Sequence, residues 1–211
     1  MLSERFYRLA AILGLVIIAG LAGCRNGARG VASLDAEAAA TGAMLQWDKN
    51  GDMRIAGIEL DASASLRAGI HAYDANLDGA VSRDEFAQRI VAIQKLPRGN
   101  TIFRCQVLRQ GRPLVGAQVR LVPESFLIPA IAPASGATDQ YGQCLVLIEA
   151  MDWSERERLN YGLDCGLYRV EITHPELAIP PRYNTASELG VDVALDTGRG
   201  GESATFDLKL R

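Results

Sequence analysis

A chain that sets Asp74, Asn76 and Asp78 on alternate residues, then Gly79, then Glu85, has few ways to run through that stretch. Acidic runs usually solvate a surface and nothing more. Here the side-chain oxygens are spaced rather than massed, and the one residue that turns at positive φ without steric cost stands in the middle. The pattern occurs twice. Asp48, Asn50, Asp52 and Glu59 repeat it 26 residues earlier, with Met53 where the second copy has glycine.

Carboxylate, amide and backbone oxygens are the ligands of a hard cation, and calcium takes six to eight of them. In the second copy Asp74, Asn76 and Asp78 supply positions 1, 3 and 5 of a twelve-residue loop. Ala80 offers a backbone carbonyl at position 7, and Val81 is apolar at position 8, placed to pair in a short strand with the other loop. Ser82 suits a water-mediated contact at position 9, and Glu85 is the carboxylate at position 12. The first copy offers Asp48, Asn50, Asp52, the Arg54 carbonyl and Glu59, with Ile55 at position 8. Both copies resemble the EF-hand loop, and the resemblance implies calcium as the ligand. Met53 in left-handed geometry costs roughly 1–2 kcal/mol, and Lys49 and Arg54 weaken the local negative potential, so the first loop is expected to bind more weakly. Residues 60–73 alone join the two, enough for a bend and one short helix. With four methionines in the chain, one of them the initiator, the methionine-rich groove of calcium sensors is missing. A structural staple is expected rather than a switch.

Around the loops the period is helical. Residues 33–47, SLDAEAAATGAMLQW, place Leu34, Ala38, Met44 and Leu45 on an expected apolar stripe; Leu66, Ile70 and Tyr73 form another, and Phe86, Ile90 and Ile93 a third. After a linker at 97–100 the period becomes two. Phe103, Cys105 and Val107 share a face, as do Cys144, Val146 and Ile148, and Tyr168, Val170 and Ile172; LGVDVAL and ATFDLKL read as closing strands, with a turn at Gln110–Gly111. Six or more short strands imply an antiparallel β-sandwich. The expected fold class is therefore α+β: a helical pair over 34–96 and a Greek-key sandwich over 101–211. The phrases GRPLVGAQVRLVP (111–123), ASGATDQYG (134–142), GLYRVEI (166–172), IPPRY (179–183) and FDL (206–208) resemble, in order, the carboxypeptidase regulatory-like (transthyretin-like) domain of small bacterial lipoproteins. That resemblance implies the sandwich and no active site.

The first 23 residues have Arg5 and Arg8 in a charged head and an apolar run over 9–23, shorter than the about 20 residues of a membrane span. They read as a signal peptide. The run ends in LAGC, which resembles a bacterial lipobox and implies lipidation of Cys24, a tether over 24–33 and anchoring in the cell envelope. Arg25 in place of aspartate favours the outer membrane. With Cys24 acylated, Cys105, Cys144 and Cys165 remain, an odd set in an oxidising compartment. Cys105 and Cys144 read either as buried small hydrophobes or as sites of a disulfide in which Cys105 pairs with Cys144 or Cys165. No Cys/His cluster points to zinc.

The net charge of −3 carries no basic footprint for nucleic acid. No nucleophile elbow or phosphate-cradling glycine loop occurs, so no enzyme is expected. His71 reads as a half-buried helical residue and His174 as a loop residue. Residues 151–160 read as a short capped helix, and SFLIPAIAP (125–133) as an apolar loop that covers the sandwich or docks a partner. A different role, adhesion or assembly through the sandwich with an unidentified protein or glycan as partner and vestigial loops, is compatible with the same residues.

Overall fold

The computed structural model describes residues 33–96, 100–149, 162–196 and 203–209. The leader with Cys24, residues 24–32 of the tether, most of the linker and the helix expected over 151–160 lie outside them. Among the described residues the protein is mixed α+β, with four α-helices and a curled, eight-stranded sheet that is antiparallel but for one pair.

Helix α1 (Ala36–Trp47) begins at Asp35, whose carboxylate accepts from the amides of Glu37 and Ala38. It satisfies two of the donors that every helix start leaves open. Its buried face is Ala39, Ala40, Ala43, Met44 and Trp47, while Leu45 is 81% exposed and Ala38 faces solvent. The expected stripe was thus rotated: small residues let α1 lie close to α4 (Arg83–Gln94), and close approach outweighs the burial of one leucine. Strand β1 (Arg54–Ala56) and helix α2 (Ile58–Ala62) follow, then α3 (Ala64–Tyr73), β2 (Ala80–Ser82) and α4. Two helices rather than one therefore join the loops. Helices α3 and α4 bury the faces their periodicity predicts: Leu66 and Tyr73 on one, Phe86, Ile90 and Ile93 on the other.

The sheet comprises β4 (Phe103–Arg109), β5 (Arg112–Pro113), β6 (Gln118–Pro123), β7 (Ala134–Ala137), β8 (Gln143–Ile148), β10 (Gly166–Thr173), β11 (Gly190–Val193) and β12 (Ser203–Leu208), in the order β11-β10-β6-β7-β8-β4-β12 with β5 beside β4. A separate two-stranded piece pairs β3 (Asn100–Thr101) with β9 (Leu163–Asp164). Strand β8 pairs with β4 through Gln143–Val146 and with β7 through Leu147 and Ile148, so it carries the sheet from one half to the other. The inward faces are those expected from the period of two: Phe103, Cys105, Val107, Cys144, Val146, Tyr168, Val170 and Ile172 are all buried. The turn at Gln110–Gly111 forms with both residues at positive φ, but only β5 returns along β4; β6 crosses to pair with β10 and β7. β12 runs parallel to β4, the one departure from the expected antiparallel pairing.

Helices and sheet share a hydrophobic core. Helix α3 lies on β11, so closely that a Cβ at Gly190 would stand 2.3 Å from the Ser65 amide nitrogen and one at Gly69 would stand 2.7 Å from the Asp192 Cβ. The apolar 125–133 segment completes the seam. Phe126 packs edge-on against Trp47 of α1 and Phe86 of α4, at 5.2 and 5.6 Å between centroids, while Leu127 and Ile131 are fully buried. Its apolar character is used inside the molecule. Below it, Glu124 accepts from Gln46 of α1 and from Ser65 of α3, which gives a buried carboxylate its hydrogen bonds.

Candidate metal centre

The two acidic loops fold alike. In each, the position-1 aspartate accepts from the position-6 amide: Met53 to Asp48 at 2.9 Å and Gly79 to Asp74 at 2.9 Å. The position-3 asparagine accepts from position 5, Asp52 to Asn50 and Asp78 to Asn76. The position-5 aspartate accepts from position 7, Arg54 to Asp52 and Ala80 to Asp78. The position-12 glutamate reaches back to the amides of positions 2 and 3: Glu59 to Lys49 and Asn50, Glu85 to Ala75 and Asn76. Short side chains bonding the backbone a few residues on are what curl each loop. The loops then face each other across the β1–β2 ladder, where Ile55 opposes Val81, both fully buried.

Glu85 has a second task. Its carboxylate accepts from the Ser82 amide while Ser82 Oγ accepts from the Glu85 amide, a capping box that starts α4. Burial pushes the Glu85 carboxyl up, but the hydrogen bonds from Ser82, Asn76 and Ala75 outweigh it and hold the group below the usual carboxylate range. Asp78 is likewise held low, chiefly by the Arg54 guanidinium 2.6 Å away on the neighbouring loop. Arg54 thus contributes more than the position-7 carbonyl expected of it: its side chain is a tethered cation on the other loop's position-5 carboxylate.

Each loop has two left-handed residues, at positions 4 and 6: Gly51 and Met53 in the first, Leu77 and Gly79 in the second. Sequence reasoning saw the Met53 penalty and missed its mirror at Leu77, because the glycine at position 6 drew the eye from position 4. Each loop therefore carries one strained side chain and one glycine, and the expected weakness of the first loop loses its backbone basis. Met53 is 50% and Leu77 81% exposed, so little packing is lost with either side chain. Met53→Gly and Leu77→Gly are each expected to raise the unfolding free energy by roughly 0.5–1 kcal/mol, the left-handed penalty less the entropy of a glycine. Urea titration checks this, and a fall in stability for both contradicts it.

The donor set is oxygen throughout, which fits a hard cation and not zinc. Asp74 and Glu85 are buried in the second loop and Glu59 in the first, and burial of acids without a cation is costly. The carboxylates do not converge, however. Among the described residues no group of three or more Asp, Glu, His or Cys side chains stands in metal-holding geometry; loop amides and Arg54 take their oxygens instead. Neither histidine belongs to the site. His71 is exposed rather than half-buried, and His174 is a loop lock: Nδ1 accepts from the amides of Glu176 and Leu177, and Nε2 lies 2.9 Å from the Val115 carbonyl oxygen to which it donates.

Among the described residues no helix is long and apolar enough to cross a membrane. Comparison with protein families, with curated proteins and with solved structures gives no match for this chain.

Proposed function

We propose that the chain is a calcium-binding, lipid-anchored protein of the cell envelope, in which a compact EF-hand pair stiffens the attachment of a transthyretin-like, Greek-key sandwich. The observation that carries this reading is the repeated loop, with the same four hydrogen-bond types at the same positions and the two copies paired through Ile55 and Val81. In the second loop Asp74, Asn76, Asp78, the Ala80 carbonyl, Ser82 through water and Glu85 would hold the ion; in the first, Asp48, Asn50, Asp52, the Arg54 carbonyl and Glu59. Bound calcium supplies positive charge against those carboxylates. The chain does the rest: Glu85 ties the loop to the first turn of α4, Asp74 caps the end of α3, α3 is seated on β11, and α4 is tied to the β6–β7 connection through Phe86 and Phe126. The lipidated Cys24 would hold the chain at a membrane, the outer one by the residue that follows it. Extracellular calcium modules work with dissociation constants of about 10⁻⁴–10⁻³ M, so loops of ordinary strength suffice.

Calorimetric titration of the purified chain with calcium tests the reading. The wild type is expected to give a saturable heat, and Glu85→Gln, which removes one carboxylate without shortening the side chain, to weaken binding by about tenfold or more. No heat from the folded wild type at millimolar calcium would sink it.

A further inference from the structure

We propose that Cys105 and Cys144 are a dithiol–disulfide couple, two thiols that a small-molecule disulfide oxidises to a cross-strand bridge between β4 and β8. They stand directly opposite each other in the antiparallel register, and both sulfurs are reduced in this structure. Opposed residues of such a pair have Cα atoms about 4.5–5.5 Å apart, inside the roughly 4.4–6.8 Å that a disulfide spans. Neither strand has to move far. Directly opposed residues present their side chains on the same face of the sheet, so the two thiols are neighbours before any oxidant arrives. Gly136 on β7 makes the room, since a Cβ there would lie 2.7 Å from Cys144 Sγ.

The pair is buried, 3% and 2% exposed, yet both residues line a cleft of about 520 Å³ with Arg104, Asp139, Gln143 and Thr205. The asymmetry of the thiols sets the order of events. The hydrogen bond from Cys105 lowers Cys144 below the usual thiol range, against its burial and the nearby Asp139, while the same bond and burial push Cys105 up. Cys144 therefore attacks as thiolate, since the thiolate is the nucleophile. It forms a mixed disulfide with one half of the oxidant and expels the other half as thiolate. Cys105 then loses its proton and attacks the Cys144 sulfur, releasing the second half. Two thiol protons and two electrons leave the protein, and one disulfide becomes two thiols.

The third cysteine is elsewhere. Cys165 lies at the foot of β10, hydrogen-bonded near Leu195 and facing Asp192, Asp164 and Asp196, and burial pushes it up to about 12. This decides between the two partners that the sequence leaves open to Cys105.

The test is thiol mapping of the whole folded chain. The protein is exposed to oxidised glutathione, quenched in acid, unfolded, alkylated with N-ethylmaleimide and digested. The expected product has lost two hydrogens, carries a linked peptide pair through Cys105 and Cys144 that dithiothreitol releases, and shows Cys165 fully alkylated. Cys105→Ser should stop at glutathione on Cys144, and Cys144→Ser should take up none at Cys105. A link to Cys165, a link between two chains, or full alkylation of both cysteines under conditions that oxidise the urea-unfolded chain would each overturn the proposal. The wild-type map decides even if neither variant folds.

Discussion

Arg89→Ala is expected to lower the unfolding free energy by about 3 kcal/mol, the low end of the cost of stripping one partner from a buried ion pair, because Asp196 is about one-third exposed while Asp192 is buried. Arg89 sits on α4 one turn past Glu85 and is 7% exposed. Its guanidinium forks onto the Asp196 carboxylate at 2.6 and 2.8 Å, lies 3.9 Å from Asp192 and stands 5.8 Å above the Tyr73 ring. Neither Asp192 carboxylate oxygen has a hydrogen-bond partner, and the Tyr73 hydroxyl and Arg89 Nε have none either. Removing the cation leaves two carboxylates facing each other at the seam between helices and sheet.

The cost should depend on pH, with a sign fixed by Asp192. Burial pushes its carboxyl up to about 7, with Arg89 pulling it down and Asp196 pushing it further up. Tyr73 and Cys165 face the same pocket, and burial raises both. A carboxyl whose folded value lies above the unfolded one, about 3.9, holds a proton in the fold that it has lost in the open chain. The stability it contributes is complete below about pH 4 and is lost as pH rises through about 7. Asp192→Asn, neutral throughout, is therefore expected to be modestly stabilising at pH 5 and more strongly stabilising at pH 8. The Arg89→Ala penalty should run the same way, larger at pH 8 than at pH 5. Urea titrations of the three proteins at both values measure this; equal differences at the two pH values would show that Asp192 does not titrate in the fold.

This cluster is also where the sequence is hardest to read. Arg89 is about a hundred residues from Asp192 and Asp196, and each alone resembles a solvated charge. One signal was present: Arg89 falls three after Phe86 and one before Ile90, on the apolar face of α4, where an arginine needs a buried anion. The helical faces of α3 and α4 and the inward faces of β4, β8 and β10 were legible because large apolar residues mark them. Helix α1 was not, since alanine marks a buried face weakly, and Gly42, whose Cβ would stand 2.4 Å from Phe126 Cβ, shows that shape rather than hydrophobicity sets its register. Strand β7, Ala-Ser-Gly-Ala, escaped for the same reason: it has no β-branched or aromatic residue, and it forms because β6 and β8 supply partners on both sides. The parallel placement of β12 depends on where a distant strand edge lies open, which no local pattern records. In the acidic loops the ligand types and the Ile55–Val81 pairing were readable, while Leu77 in left-handed geometry and the reach of Arg54 to Asp78 belong to the folded pair.

Calcium at one hundred times its dissociation constant is expected to raise the unfolding free energy by about 2.7 kcal/mol. For a chain of this size that is roughly 5–10 °C in the thermal midpoint, measured against the same protein in chelator. The more telling outcome is which transition moves. A helical pair hung on a flexible tether would melt by itself, and calcium would shift only that step. Here Tyr73, the residue before Asp74, and Phe86, the residue after Glu85, are fully buried, with their rings in tilted contact at 5.0 Å between centroids. Phe86 continues into Phe126 of the sheet's own connection, and Arg89 into β11 through Asp192. Residues flanking both ends of the second loop are thus fastened to the sheet, and the energy gained at the loop has to be overcome before the sheet opens. Calcium should move a single transition, seen alike by far-ultraviolet circular dichroism and by slowed hydrogen exchange in β10 and β11. In Arg89→Ala, with one fastening gone, the exchange protection of β11 should gain less from calcium than that of α4. If calcium protects the helices and leaves β10 and β11 unchanged in the wild type, the loops serve only their own helices and the stiffening role is lost.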